Sequence, residues 1–389
     1  MPDLDGKTIL QIIPTLKTGG AERTVVDMTR GIVDAGGRAL VASAGGGLVQ
    51  KVEENGGTHF TLPLDAKFRL DRHLTNKWAL TSLCKKEQVD LIHARSRAPA
   101  FPALSAARKL GLPFLTTYHG IYSEKNAVKR WYNSVMVAGD AVIANSTYTA
   151  SLIKQRYQLT DDDIHIVHRG TDMELFDVSK ISKQTQADLR QKWHLPDDKP
   201  IVMLLARLTD WKGHMLAIRA ARKIREKGGE LPHFVFAGSA QSETYLARVR
   251  SAIVEAAMMD DFSLVGHVND VPLALSVCDL AIVPSTKPEA FGRSVAEASA
   301  AGLPVIAFDH GGATETILAP SQCEEDEKTG LKVPVGDIEA LAAAIREITS
   351  LSASKRNAMG ARGRAHIQRN FTKQHMIEKT LTVYRKLMG

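Results

Sequence analysis

The sequence predicts an α/β protein made of two doubly wound domains facing each other across a cleft. Short runs rich in branched apolar residues alternate with longer helical patterns from end to end, as parallel sheets covered by helices require. The alternation halts once, over the Lys-, Gln-, Ser- and Asp-rich run Val178–Lys192 and the breaker Pro196-Asp197-Asp198-Lys199-Pro200, and then restarts. The 389 residues suit two or three domains at about 100–200 residues each.

In the first half the expected strands are Thr8–Ile13, Ala39–Ala42, His59–Leu62, Leu91–Ala94, Phe114–Tyr118, Ala141–Ala144 and Ile164–Val167. Amphipathic stretches such as Ala21–Asp34 and Asn76–Lys86 read as helices between them. After the breaker come strand Ile201–Ala206, helix Gly213–Lys227, strand Phe234–Ala237, helix Thr244–Glu255, and strands Phe262–Val265 and Leu280–Pro284. Helix Gly292–Ala301 and strand Pro304–Phe308 follow, then helices Asp337–Leu351, Ala358–Gln368 and Thr372–Met388. The domains are therefore drawn as 1–180 and 181–371, with the connection at the proline breaker. The cleft between them is the default ligand site.

Composition excludes several classes. With 44% apolar and 24% charged residues the bulk of the chain is not disordered. Cys84, Cys278 and Cys323 are odd in number and far apart, with no metal-ligand spacing, a usage that fits a reducing compartment. Met1-Pro2-Asp3-Leu4-Asp5 has no signal-peptide character, and no run reaches the roughly 18 apolar residues of a membrane span. A cytoplasmic location is expected. The 50 Lys+Arg against 43 Asp+Glu leave a net charge of +7, with no nucleic-acid recognition motif beside it.

Three loops carry chemistry. Thr15-Leu16-Lys17-Thr18-Gly19-Gly20-Ala21-Glu22 joins the first strand to a helix, so Gly19 and Gly20 let backbone N–H groups approach an anion. A plain strand-to-helix turn reads the same way. In the second half, Arg207 and Lys212 bracket the turn Leu208-Thr209-Asp210-Trp211, where a guanidinium and an ammonium suit a diphosphate. The alternative is two solvated cations. The third, Pro288-Glu289-Ala290-Phe291-Gly292-Arg293-Ser294-Val295-Ala296-Glu297, sets two glutamates eight residues apart around a helix start. The N–H groups near Phe291 and Gly292 would meet a phosphate, Glu289 a sugar hydroxyl and Glu297 a ribose. Pairing of Glu297 with Arg293 one turn earlier is the competing reading.

Together these segments resemble the retaining glycosyltransferases of family 4, which have the GT-B fold. Glu289…Glu297 matches the E-x7-E motif in its fuller form E-A-F-G-R-S-V-A-E, Arg207-Leu208…Lys212-Gly213 the R-L…K-G phosphate loop, and Gly19-Gly20-Ala21-Glu22 the N-terminal glycine loop. Tyr118-His119-Gly120, Ala144-Asn145-Ser146 and Asp309-His310-Gly311-Gly312…Glu315 match further segments in order, while Arg169-Gly170-Thr171-Asp172 stands where the family often has N-G-V-D. The resemblance covers nearly the whole chain.

It implies that Arg207 and Lys212 hold the donor diphosphate, Glu289 the transferred sugar, and Glu297 the ribose. Gly19, Gly20, Gly238, Val265, His267, Phe291, Gly292 and Arg293 would serve the donor, and His119 would line the acceptor side. The last helix, 372–389, would return to the first domain. The implied reaction moves a sugar from a nucleotide-diphosphate sugar to an acceptor hydroxyl with retention, in cell-surface glycan, lipopolysaccharide or glycolipid synthesis. Two cations and a helix start would carry the leaving diphosphate, so neither cofactor nor metal is expected. Asp161-Asp162-Asp163 resembles a metal-binding D-x-D but reads as a solvated turn. The partners would be the donor and a glycan or lipid-linked acceptor. Ser123–Tyr132 combines cations with aromatics, and Lys67, Arg69, Arg72 and Lys77 add a second basic stretch. Such a surface would rest on an anionic leaflet, or be a solvated basic face. A sugar-nucleotide 2-epimerase of related fold is the alternative enzyme.

Overall fold

A computed structural model describes residues 3–17, 19–65, 70–320 and 322–389. The chain divides into two compact units, one running to Gly170 and completed by Lys373–Gly389, the other Thr171–Thr372. The boundary falls ten residues before the expected 180/181, and the Pro196–Pro200 breaker lies inside the second unit. Packing explains the difference. Phe176 and Leu195 are buried in the core of the second sheet with Leu189 and Trp193 against them, and Arg190 Nη2 donates to the Pro196 carbonyl at 2.5 Å. The polar run therefore holds a helix, Lys183–Lys192, capped by the Ser182 hydroxyl.

The first unit is a seven-stranded sheet: β1 Thr8–Ile12, β2 Arg38–Ser43, β3 Thr58–Thr61, β4 Leu91–Ala94, β5 Phe114–Tyr118, β6 Ala141–Ala144 and β7 Ile164–Ile166. Their order is β3-β2-β1-β4-β5-β6-β7. β1 lies parallel to both neighbours, with Ile12 opposite Ala42 on one side and Ala94 on the other. Every residue of β1, β4, β5 and β6 is buried, as helices on both faces require. Helix Arg97–Leu110 escaped the sequence reading because Pro99 and Pro102 interrupt its pattern.

Helix Lys373–Met388 belongs to this unit. Its Met376, Ile377, Leu381 and Tyr384 join Ile9, Ile32, Leu115 and Ile143 in one apolar cluster. A Cβ on Gly31 would come within 2.3 Å of Ile377 Cγ2, so glycine is what lets the two helices approach. The helix also closes a polar seam: His93, fully buried on β4, bonds Tyr384 Oη through Nδ1 and Thr117 Oγ1 through Nε2, each at 2.7 Å.

The second unit repeats the plan: β8 Ile201–Leu205, β9 His233–Ala237, β10 Phe262–Gly266, β11 Leu280–Val283, β12 Val305–Phe308 and β13 Gly330–Val333, in the order β10-β9-β8-β11-β12-β13. β13 was not anticipated, since Gly-Leu-Lys-Val carries little strand signal of its own. Its register on β12, Val305 opposite Gly330 through Phe308 opposite Val333, supplies what local propensity does not. Helix Ala353–Asn370 starts five residues before the expected Ala358, at the Ser352 cap. In both sheets the strand order reverses beside the first strand, at β1/β4 and at β8/β11. Such a switch point opens a crevice at the carboxyl ends of the strands.

Leu381 is completely buried, so Leu381→Ala should cost about 2–5 kcal/mol, read as a lower urea midpoint. An unchanged midpoint would show that the last helix contributes nothing to the first unit.

Candidate donor and acceptor sites

In the second unit the loops after β8, β9, β10, β11 and β12 leave the same edge of the sheet. They carry Arg207 and Lys212, Gly238, His267, Ser285 with Glu289, and His310-Gly311. The backbone locks the two central loops together. Gly213, at φ +85°, faces the Pro284 carbonyl so closely that a Cβ would sit 2.0 Å from its oxygen, and Thr286 N donates to the Trp211 carbonyl at 2.7 Å. Behind Glu289, Gly312 N donates to its carbonyl at 2.8 Å. Gly238 N closes a neighbouring turn on the Gly266 carbonyl at 2.7 Å.

Sequence reasoning gave Lys212 and Glu289 separate tasks; the structure couples them. Lys212 Nζ donates to Glu289 Oε1 at 2.6 Å, with each side chain about seven-eighths buried. Ser285 Oγ donates to the same oxygen at 2.8 Å, and His310 Nε2 donates to the Ser285 carbonyl at 2.7 Å. The ammonium also lies 4.3 Å from the Trp211 ring centroid. Ser285 and Trp211 are thus members of the site that no motif signalled. Arg207 is exposed at the end of β8, with no protein hydrogen bond or ion pair recorded for it among the described residues. A pre-oriented carboxylate, a desolvated ammonium and a solvated guanidinium share one crevice.

Gly292 caps helix Arg293–Ala300 at φ +80° without a side-chain acceptor. Its missing Cβ would meet Ala313 Cβ at 2.4 Å, so the first turn of N–H groups faces an uncapped end that suits an anion. Phe291 is buried against Phe371, with ring centroids 6.1 Å apart, so only its backbone is available to a ligand. Arg293, expected on the donor, donates from Nη2 to Glu297 Oε1 at 2.6 Å. The i,i+4 spacing decides this contact, and it fixes the Glu297 carboxylate at the helix surface. Val265 is half-buried at the end of β10 and His267 is exposed just beyond it.

In the first unit, Gly19 caps helix Gly20–Asp34, again without a side-chain acceptor. Arg169, the departure from the family pattern, draws three elements together. Its Nη1 donates to the Gly20 carbonyl at 2.8 Å and to Thr24 Oγ1 at 2.7 Å, and its Nη2 to His119 Nδ1 at 2.9 Å. Burial, with Arg169 and Arg95 nearby, holds the His119 pKa well below the usual histidine range. The ring is therefore neutral and carries its proton on Nε2. Asp161-Asp162-Asp163 is a turn: Asp161 pairs with Lys154, and Asp163 Oδ2 accepts from Thr160 N and Oγ1 at 3.0 and 2.7 Å. Lys67 and Arg69 lie outside the described residues.

The model of "Glycosyl transferases group 1" matches residues 185–366, and that of "Glycosyltransferase Family 4" matches residues 18–175. The chain belongs to glycosyltransferase family 4. This family 4 chain is 29% identical to a glycosyltransferase of Rickettsia africae, whose crystal structure it matches with a TM-score of 0.87 over 98% of each chain. A D-inositol 3-phosphate glycosyltransferase of Salinispora tropica is 27% identical over 76% of this chain. A GDP-mannose-dependent alpha-mannosyltransferase of Mycobacterium tuberculosis is 30% identical over 64% of it. The matched stretches span 63% and 61% of those two relatives, so the chain matches under two thirds of their length. The two Rossmann-like sheets of the family 4 chain are those of the GT-B fold.

Next to Lys212, His214 is fully buried, edge-on to Phe236 at 5.1 Å. Burial pushes its pKa from 6.5 down to about 4, against an opposing pull from the Thr209 carbonyl. The unfolded chain therefore binds the extra proton between about pH 6.5 and 4. The contribution is fully present above that window and is lost as the pH falls through it, about 3 kcal/mol in all. His214→Leu should flatten this part of the urea-midpoint profile; a slope equal to that of the wild type would remove His214 as its source.

Proposed function

We propose that the chain transfers a sugar from a nucleotide-diphosphate sugar to an acceptor hydroxyl, with retention and without a bound metal. The observation that carries this reading is the Lys212–Glu289–Ser285 arrangement at the β8/β11 switch point, beside the uncapped helix start at Gly292. Arg207, Lys212 and the helix N–H groups stabilise the diphosphate as it leaves. Glu289, already aimed by Ser285, accepts hydroxyl hydrogen bonds from the sugar and meets positive charge as the anomeric bond stretches. The bond from the anomeric carbon to the phosphate oxygen breaks, the acceptor oxygen bonds to that carbon on the same face, and the acceptor proton passes to the leaving phosphate. Neutral His119, held by Arg169, serves the acceptor side. Glu297 serves the ribose.

A thermal-shift panel of GDP-, UDP- and ADP-sugars identifies the donor, because a ligand of the native state raises its stability. GDP-mannose comes first in view of the mannosyltransferase relative. Turnover with donor and acceptor should then survive a chelator; loss restored by manganese or magnesium would overturn the metal-free assignment. An isomer of the donor formed without acceptor would replace transfer by epimerisation. Glu289→Gln keeps size and removes charge, and should lower turnover about 10²–10³-fold, whereas Glu297→Gln should mainly raise the donor Michaelis constant. Near-normal turnover in folded Glu289→Gln would falsify the role given to that carboxylate.

For the acceptor we propose a glycan or a lipid-linked molecule met at an anionic leaflet. No described helix is long and apolar enough to cross a membrane. The first unit instead exposes Val128 (72%), Trp78 (64%), Trp131 (55%) and Leu74 (51%). Phe101 links them, stacking on Tyr132 at 5.5 Å and meeting Trp131 at 5.4 Å and His73 at 6.4 Å. Lys109 lies 4.3 Å above Trp78, and Lys77, Lys125, Lys129 and Arg130 are on the same helices or just before them. Exposed indoles among cations suit the interface of an anionic bilayer. Replacing Lys125, Lys129 and Arg130 by Ser should weaken vesicle binding by about 1 kcal/mol per cation; wild-type protein that stays in the supernatant at low salt would remove the membrane from the reading.

A further inference from the structure

Behind His119 the first unit encloses a cavity of ≈ 20 Å³ lined by Arg95, His119, Arg169, Asn145, Thr24, Thr117 and Thr380 together with apolar side chains. It has the size of a single small guest. Arg95 is 97% buried; its Nε donates to Gln11 Oε1 at 3.1 Å, and its guanidinium also hydrogen-bonds the Tyr384 hydroxyl. Its Nη2 is buried with no partner, and so is His119 Nε2. Because a guanidinium only donates, the Arg169 contact leaves His119 Nδ1 as acceptor and forces the proton onto Nε2. Both orphans are therefore donors.

The other polar groups of the wall are engaged elsewhere: Thr117 Oγ1 is bonded to His93 Nε2, and Thr380 Oγ1 donates to the Met376 carbonyl. Thr24 Oγ1 accepts from Arg169 and donates to the Gly20 carbonyl. Asn145 Oδ1 accepts from Thr149 Oγ1, and its Nδ2 donates to the His119 carbonyl. Among the described residues no carboxylate lines the cavity. Asp27 acts on Arg95 from outside it. An unpaired buried donor is costly, and more so when charged. A guest that accepts hydrogen bonds and carries negative charge relieves both orphans at once.

We infer that this cavity is a binding site for a small inorganic anion of halide size, held by Arg95 Nη2 and His119 Nε2. The anion would fix the Arg95 and His119 side chains behind the acceptor side. It needs none of the donor chemistry proposed above, so its test is independent of turnover. At constant ionic strength, replacing gluconate by chloride should raise the melting temperature saturably, by about 2–4 °C. Arg95→Gln should lose that dependence. If Arg95→Gln does not fold, bromide-soaked crystals of the wild type decide the matter: an anomalous peak in the cavity is expected. A peak without anomalous signal, which is water, would overturn the site, as would a melting temperature indifferent to the halide.

Discussion

The ion pair from Lys212 Nζ to Glu289 Oε1, 2.6 Å long, ties the loop after β8 to the loop after β11. Those strands are neighbours only because the sheet order reverses there. Burying two charges is costly unless each is paired and its remaining valences are met. Here Ser285 adds a second donor to the carboxylate, and His310 holds the Ser285 backbone. The pair works less as a source of stability than as a device that aims one carboxylate oxygen. In the proposed reaction an incoming diphosphate would compete for the ammonium, which would link phosphate binding to the charge presented to the sugar.

Helix starts are of two kinds, those capped by a side chain and those left uncapped, the latter including the starts after Leu48 and Ser96. Side chains cap the helices that start after Asn126, Ser146, Ser182, Ser242, Asp270, Asp337 and Ser352. Helices starting after Gly19, Gly213 and Gly292 have no side-chain acceptor. A capped end has already satisfied its N–H groups. A glycine end leaves them for a ligand and allows the close backbone contacts that hold the loops, such as Gly213 against Pro284.

In the first unit, buried polarity runs as a seam across the sheet. His93, Thr117 and Tyr384 satisfy one another, and Arg169 satisfies His119 Nδ1. Arg95 Nη2 and His119 Nε2 are where the seam is left incomplete. The last helix supplies Tyr384 to His93 and Met376 and Thr380 to the cavity, so a segment distant in sequence completes the wall behind His119.

Much of this protein was legible in its sequence. Alternating strand and helix patterns determined the α/β class, because periodicity follows from which faces are covered. The glycine loops and Glu289…Glu297 were readable because backbone approach and helix starts need those residue types at local spacing. The i,i+4 contact of Arg293 with Glu297 was also written locally. Contacts between distant segments were not legible. Val178–Lys192 looked like a linker, yet its few apolar residues are claimed by the second core. β13 exists because β12 offers it an edge. Lys212 and Glu289 stand 77 residues apart, and Arg169 and His119 stand 50 apart. Local propensity ranks what a segment can become. Only folding brings the second charge, the buried wall or the neighbouring strand that decides it.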